Sequence, residues 1–185
     1  MPNEYYTRSG DDGTTGILGE DRVAKDHPRP EAVGSVDEAN AALGMARAIC
    51  QAPQTSEILL SVQRDLYHLM AEVAASPKNA PRFRVIDTQK TKWLEDQIDT
   101  ISTLIEPINE FIVPGDSTAG ASLDFARTVI RRAERRLVRL HRSDQLENTG
   151  LLQYINRLSS LCFVLELLEN QINEGSSSTL AKQTS

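Results

Sequence analysis

A chain of 185 residues with 39% hydrophobic and 25% charged side chains has the length and composition of one globular domain with a real core. Its net charge of −6 argues against a general nucleic-acid binder, since phosphate affinity needs a basic surface. No uninterrupted apolar run approaches the roughly 20 residues that span a bilayer, and Met1-Pro2-Asn3-Glu4 lacks the basic and apolar regions of a signal peptide. Cys50 and Cys162 lie in apolar helical patterns and read as buried free thiols in a reducing compartment. The expectation is a cytoplasmic protein with neither nucleic acid nor membrane as partner.

Residues 1–34 carry no helical period. They are rich in Gly, Asp, Thr and Arg, with Gly10, Gly13, Gly16 and Gly19 free to take positive φ and approach a ligand closely. Their hydroxyls and backbone N–H groups, with the cations Arg8 and Lys25, could surround a polyphosphate. The stretch is not a G-x-x-x-x-G-K-[ST] loop and no apolar strand precedes it, and its composition also suits a disordered tail. Ser35-Val36-Asp37-Glu38 has the form of a capping box, which predicts a first helix over 36–52. Its seam is Val36, Ala39, Leu43, Ala46 and Cys50, with Asp37 and Asn40 on a flank. Leu59, Val62, Leu66, Leu69 and Val73 predict a second helix over 55–76, and Leu94, Ile98, Ile101 and Ile105 a third over 87–105. Residues 111–116 read as a short extended segment ending in a Pro-Gly turn.

The fourth helix, predicted over 117–142, concentrates the positive charge. At about 100° per residue, Leu123, Ala126, Ile130, Ala133, Leu137 and Leu140 form one apolar seam. Arg132, Arg136 and Arg139 fall opposite it, where water solvates them. Arg127, Arg131 and Glu134 line the boundary, where a pair between Asp37 and Arg127 or Arg131 is geometrically reasonable. Charges held there suit a clamp for a small anion; a merely basic amphipathic helix gives the same pattern. The fifth helix, over 150–173, is apolar on two sides: Tyr154, Leu158, Leu161, Leu165, Leu168 and Ile172 on one, and Leu152, Phe163 and Leu167, with Asn156, on the other. Either a subunit interface in a homo-oligomer or the chain itself covers the second side. Residues 174–185 read as a disordered tail. Nothing reads as a sheet, so the fold class is all-α: an antiparallel five-helix bundle over 35–173, with 1–34 as a glycine-rich nucleotide-binding loop of the same domain.

No site for covalent or metal chemistry emerges. His68 and Glu72 are not at Glu-x-x-His spacing, and His27 and His141 lack a second ligand. No nucleophile elbow is present. Tyr67 and Trp93 read as packing residues.

The chain resembles the ATP:cob(I)alamin adenosyltransferases of the propanediol-utilisation and human mitochondrial type over residues 5–173. The resemblance rests on Tyr6-Thr7-Arg8-Ser9-Gly10-Asp11-Asp12-Gly13-Thr14-Thr15, Arg22-Val23-Ala24-Lys25-Asp26, Glu31-Ala32-Val33-Gly34-Ser35-Val36-Asp37-Glu38, Phe111-Ile112-Val113-Pro114-Gly115, the stretch from Arg127 to Arg136, and Tyr154-Ile155-Asn156-Arg157-Leu158-Ser159. It implies trimers with sites between subunits. Thr7, Arg8, Ser9, Gly10, Thr15, Gly16 and Lys25 would wrap the triphosphate of ATP, and Arg131, Arg132, Glu134, Arg135 and Asn156 would come from the neighbour. Asp37 and Arg127 would form a supporting ion pair, while Phe111 would press on the lower face of the corrin and Phe163 line its apolar pocket. The implied reaction transfers the 5′-deoxyadenosyl group of ATP to cob(I)alamin, giving adenosylcobalamin and triphosphate. Among the site residues, Arg131, Glu134, Asp37, Arg127 and Phe111 would carry catalysis. Mg²⁺ on the phosphates, a cobalamin reductase and an adenosylcobalamin-dependent enzyme are the implied associates. A non-catalytic chaperone that binds nucleotide and delivers adenosylcobalamin is the alternative. Three departures stand out: Asp116 where a second glycine is usual, Ser160 where an aspartate is common, and Ser9 for threonine.

Overall fold

In the computed structural model, residues 5–6, 8–19, 22–108, 110–143, 145–174 and 178–182 are described. The elements are β1 (Thr14–Gly16), β2 (Arg22–Ala24), α1 (Pro28–Ile49), α2 (Pro53–Ala74), a 3-10 turn (Ala80–Phe83), α3 (Thr88–Ser102), α4 (Thr118–Arg142) and α5 (Thr149–Glu174). The predicted apolar seam of α4 is buried throughout: Leu123, Ala126, Ile130, Ala133, Leu137 and Leu140. That seam is sandwiched, with α1 against one side of α4 and α5 against the other. Alanines in the core from both α1 (Ala32, Ala39, Ala42, Ala46) and α4 let the two backbones come close.

Side-chain pairs give the helix directions. Glu31 meets Arg136 and Glu38 meets Arg132, so α1 and α4 are antiparallel. Glu134 meets Asn156 and Ser117 meets Asn170, so α4 and α5 are antiparallel too. On the far side of α5, Glu95 meets Arg157 and Leu104 meets Gln171, so α3 runs parallel to α5. Arg29 at the start of α1 meets Val73 and Ala75 at the end of α2, so the helices alternate in direction along the chain, the all-α bundle the periodicity predicts.

The capping-box prediction is corrected. α1 begins at Pro28, eight residues before Val36, because Pro28 and Pro30 suit a first turn and His27 caps it, its Nδ1 accepting the Arg29 N–H at 3.2 Å. Ser35 lies inside the helix, its hydroxyl bonded to the Glu31 carbonyl at 2.9 Å, and Glu38 is on Arg132 instead. Arg29 is buried; its guanidinium donates to the carbonyls of Val73 and Ala75, each at 2.6 Å, and of Gln145 at 2.8 Å. One arginine thus ties the start of α1 to the end of α2 and the α4–α5 loop.

The expectation of no sheet is also corrected. β1 and β2 form a small antiparallel hairpin, with Thr15 opposite Val23. Leu18 pairs with Ala75, and Asn79 Nδ2 donates to the Gly19 carbonyl at 3.1 Å, fixing the hairpin to the end of α2. Gly19 sits at φ +87°, and the Asn79 side chain fills the space a Cβ would take. At the chain's other end, Leu180 bridges to Ile112 in the 111–113 segment, so residues 178–182 are not the expected disordered tail.

The two open readings of α5 resolve in part toward the chain's own packing. Leu167 is buried, as are Glu166, Glu169 and Asn170. By length and composition α5 is the one described helix able to cross a membrane, more apolar than the sequence reading allowed; here its apolarity is spent on packing between α3 and α4. Of the cysteines, Cys162 is buried, but Cys50, closing α1, is only partly so. Tyr67, expected in packing, is 66% exposed, whereas Trp93 packs against the core.

α2 has no side-chain cap of its own. Glu169 supplies one from α5, its carboxylate accepting the Gln51 N–H at 2.8 Å and the Ala52 N–H at 3.2 Å. Replacing Glu169 by Ala leaves both donors unpaired beside a buried void, and is expected to destabilise the bundle by about 2–3 kcal/mol, read from the urea midpoint at unchanged slope.

Candidate active site

The boundary residues of α4 end up at the rim of a cavity. Arg127 and Arg131, with Asp124, form one wall of a cleft of ≈ 570 Å³; Phe111 and Phe163 supply aromatic surface, and Ser160 lies beside them. Helix periodicity alone places the two arginines one turn apart here. Phe111 is 88% exposed and Phe163 partly buried, so apolar surface lies open opposite a charged rim of Arg127, Arg131, Asp124 and Glu110.

Arg127 is engaged within its own helix: its Nε and Nη2 reach Asp124 at 2.8 and 2.6 Å. It makes no contact with Asp37, which is exposed on α1. Within one chain the expected Asp37–Arg127 pair is therefore replaced by a neighbour three residues away. Arg131 is exposed and has no acidic partner among the described residues.

Further along α4, Glu134, Arg135, Val138, Arg139 and Arg142 line a second cavity of ≈ 500 Å³. Asn156 Nδ2 donates to Glu134 at 2.9 Å, while Arg157 donates to Asn156 Oδ1 of the same side-chain amide at 3.0 Å, so α5 fixes the orientation of Glu134. Arg132 and Arg136, expected in water, pair with Glu38 at 2.8 Å and Glu31 at 3.0 Å. The periodicity placed them away from the seam but could not show that α1 presents glutamates at the same spacing.

The N-terminal hairpin forms a separate polar cluster. Asp12 accepts the Thr14 N–H at 2.9 Å and its hydroxyl at 2.8 Å, and the backbone bond first holds its carboxyl below the usual range. Arg22 donates to Thr14 Oγ1 at 2.7 Å, to the Thr14 carbonyl at 2.9 Å and to the Ser9 carbonyl. Arg22 organises this loop, a role that only its contacts reveal. Lys25 is exposed and lies across Gly10, where a Cβ would come within 3.1 Å of Nζ. Arg8 takes φ 57° and stacks over Tyr6 at 5.3 Å. Thr15 and Gly16 lie on β1; Thr7 lies outside the described residues. Neither α4 cavity is lined by a hairpin residue. One chain thus keeps the loop donors and the arginine flank apart.

Behind the first cleft lies a buried carboxyl that sequence reasoning missed. Glu166 is fully buried, and neither of its oxygens has a hydrogen-bond partner. Burial pushes its pKa from 4.5 up to about 8, and the Asp124 charge pushes the same way; Arg127 opposes both only in part. Burial likewise raises the Cys162 thiol to about 12, which makes it inert as a nucleophile.

The chain thus defines a class: an all-α five-helix bundle with an aromatic and cationic cleft on α4 and α5 and a polar glycine-containing hairpin beside α2. Residues 5–169 match the family described as cobalamin adenosyltransferase, and the chain belongs to that family. It is 43% identical over 166 residues to the corrinoid adenosyltransferase PduO of Citrobacter freundii, covering 89% of this chain and 49% of that protein. It therefore spans about half the length of that relative. It is 37% identical to the cobalamin adenosyltransferase of Cupriavidus metallidurans, covering 94% of this chain and 92% of that one. Among solved structures, a variant PduO-type ATP:corrinoid adenosyltransferase from Lactobacillus reuteri, complexed with cobalamin and ATP, superposes with a TM-score of 0.90 at 32% identity, covering 97% of this chain and all of that one (100%).

The buried acid sets a pH dependence. Between pH 4.5 and about 8 the folded protein keeps the Glu166 proton that the unfolded chain has lost. This contribution to stability is whole below pH 4.5 and declines as pH rises through that window. Glu166→Gln is expected to flatten the fall in melting temperature between pH 5 and 8; an unchanged slope would assign it to other groups.

Proposed function

We propose that this protein transfers the 5′-deoxyadenosyl group of ATP to a cobalt(I) corrinoid, releasing triphosphate. The observation that carries the reading is the cleft where Phe111 and Phe163 face Arg127 and Arg131, in a chain of this family. The cobalt lone pair attacks the ribose 5′ carbon as its bond to the triphosphate oxygen breaks, so no side-chain nucleophile is needed. The residues have two tasks: to align the two reactants and to stabilise charge on the departing polyphosphate. Arg131, with Arg135 nearby, supplies fixed positive charge, and Glu134, oriented by Asn156, is placed to accept hydrogen bonds from the nucleoside. Arg132 remains on Glu38 at the edge of this group. Phe111 and Phe163 offer the corrin an apolar face that excludes water from cobalt.

In this reading the working form is a homotrimer. The separation of the hairpin donors Arg8, Ser9, Gly10, Thr15, Gly16 and Lys25 from the α4 arginines supports a site completed by a second copy. Exposed Met45 and Phe125, lining one groove near the start of α4, offer apolar surface for that contact. Asp37, free on α1, is available to the neighbour's Arg127, and Thr7 belongs with the loop donors. The described side chains do not form a cage for Mg²⁺: no three His, Cys, Asp or Glu groups gather as a metal site. Such a cation would enter on the polyphosphate oxygens. A reductase that delivers cobalt(I) and an enzyme that consumes the product are the partners this chemistry requires.

Incubating the protein with ATP and chemically reduced cobalamin should give the adenosylcobalamin spectrum. Tight binding of both without turnover would support a delivery chaperone instead. Arg131→Ala should lower kcat/KM by about 100-fold or more while the bundle stays folded, because Arg131 lies off the buried seam. Phe111→Ala should leave ATP binding intact but slow adenosylation when cobalt(II) is reduced in situ. A stable, fully active monomer in sedimentation would rule out the shared site.

A further inference from the structure

Phe111 is 88% exposed, so its ring is not held by packing within the chain. What holds it is its backbone, and the support comes from the far end of the sequence. The Val113 N–H donates to the Thr179 carbonyl at 2.8 Å, and the Ala181 N–H to the Phe111 carbonyl at 2.7 Å, with Ile112 and Leu180 as the bridging pair. Just beyond the turn at Gly115, which sits at φ +135°, Asp116 accepts both the N–H and the hydroxyl of Thr179, at 2.8 and 2.7 Å. A carboxylate taking two donors from one residue makes charge-assisted bonds, the stronger kind. Short as it is, the pairing therefore has a fixed register.

We infer that residues 179–181 and Asp116 form a latch that positions Phe111 over the cleft, making Asp116 and Thr179 positioning residues for the corrinoid. The inference rests on the adenosyl-transfer reading and assigns a task to the carboxylate that stands where a glycine is usual. The latch lies at the Phe111 end of the first cleft and touches neither the hairpin nor the second α4 cavity. Its loss should therefore be felt by the corrinoid and not by ATP.

Two variants attack the latch differently. Asp116→Ala removes the acceptor; Ala181→Pro removes the N–H that bonds the Phe111 carbonyl and leaves every charge in place. Each should raise the KM for cob(I)alamin about tenfold, the effect of losing one or two such bonds, with the KM for ATP unchanged. Asp116→Asn keeps an acceptor oxygen and should restore most of the wild-type value. Amide exchange at Val113 should quicken in both disruptive variants and stay slow in Asp116→Asn. Wild-type corrinoid KM in both disruptive variants would overturn the positioning role, and Val113 exchange as slow as wild type in both would overturn the latch itself. Absence of adenosylation by the wild-type protein would instead sink the functional reading, and Val113 exchange reports on the latch without turnover.

Discussion

Everything in this structure depends on α4 being packed from two sides at once. Its seam of Leu123, Ala126, Ile130, Ala133, Leu137 and Leu140 is fully buried because α1 and α5 both close on it. With about 100° between successive residues, a helix gripped on two sides has only narrow strips left to present elsewhere. Arg127 and Arg131 occupy one such strip, and Glu134 with Arg135 continue it. Their spacing is thus set by core packing, which supplies the rigidity that a charge-stabilising site needs. Small residues at the α1–α4 contact help, since close backbones also bring Glu31 and Glu38 within reach of Arg136 and Arg132. These pairs are each about half exposed and add little stability. Their effect is to occupy two of the arginines and leave Arg131 without a carboxylate.

Much of this was legible in the sequence because it depends on period alone. The seams of α2, α3 and α4, the start of α4 near Ser117 and the boundary position of Arg127 and Arg131 follow from spacing, which tertiary contacts did not override. The start of α1 was misread because Ser35 and Glu38 satisfy a local pattern that masked the weaker Pro28, Pro30 and His27 signals, while the Arg29 contacts that anchor this turn to the end of α2 span 44 residues or more. The hairpin was missed because strands of three residues carry too little alternation to be seen. Its place is set by Leu18 and Asn79, which meet only after α2 is built. The pairing of the tail with residues 111–113 is invisible for the same reason.

Within the site, residue types were easier to read than partners. Spacing put Arg127 at the boundary and allowed Asp37 to pair with it or with Arg131, and the resemblance chose Arg127; the chain instead pairs Arg127 with Asp124, three residues earlier, because a neighbour on the same face needs no second element. The aromatic residues of the cleft were found through resemblance, as Phe111 lies outside any periodic segment and Phe163 on the less obvious side of α5. Glu166 gave no signal at all. One glutamate in an apolar helix reads as a solvated position, and only the packed structure shows that nothing solvates it.

Arg127 shows how these constraints meet. Asp124, Glu166 and Asp116 all act on the same small region, against one guanidinium. Three full negative charges with one positive charge in a buried setting would be strongly unfavourable. The conflict is reduced in two ways. Glu166 keeps its proton below about pH 8, and Asp116 turns outward to Thr179. That leaves Asp124 and Arg127 as a balanced pair at the edge of the cleft. If a second copy brings Asp37 to Arg127, it meets an arginine already held in place by Asp124, and the cost of ordering that side chain is largely met before association. In the proposed shared site, the same pair that replaces the expected contact inside the chain would hold Arg127 ready to make it between chains.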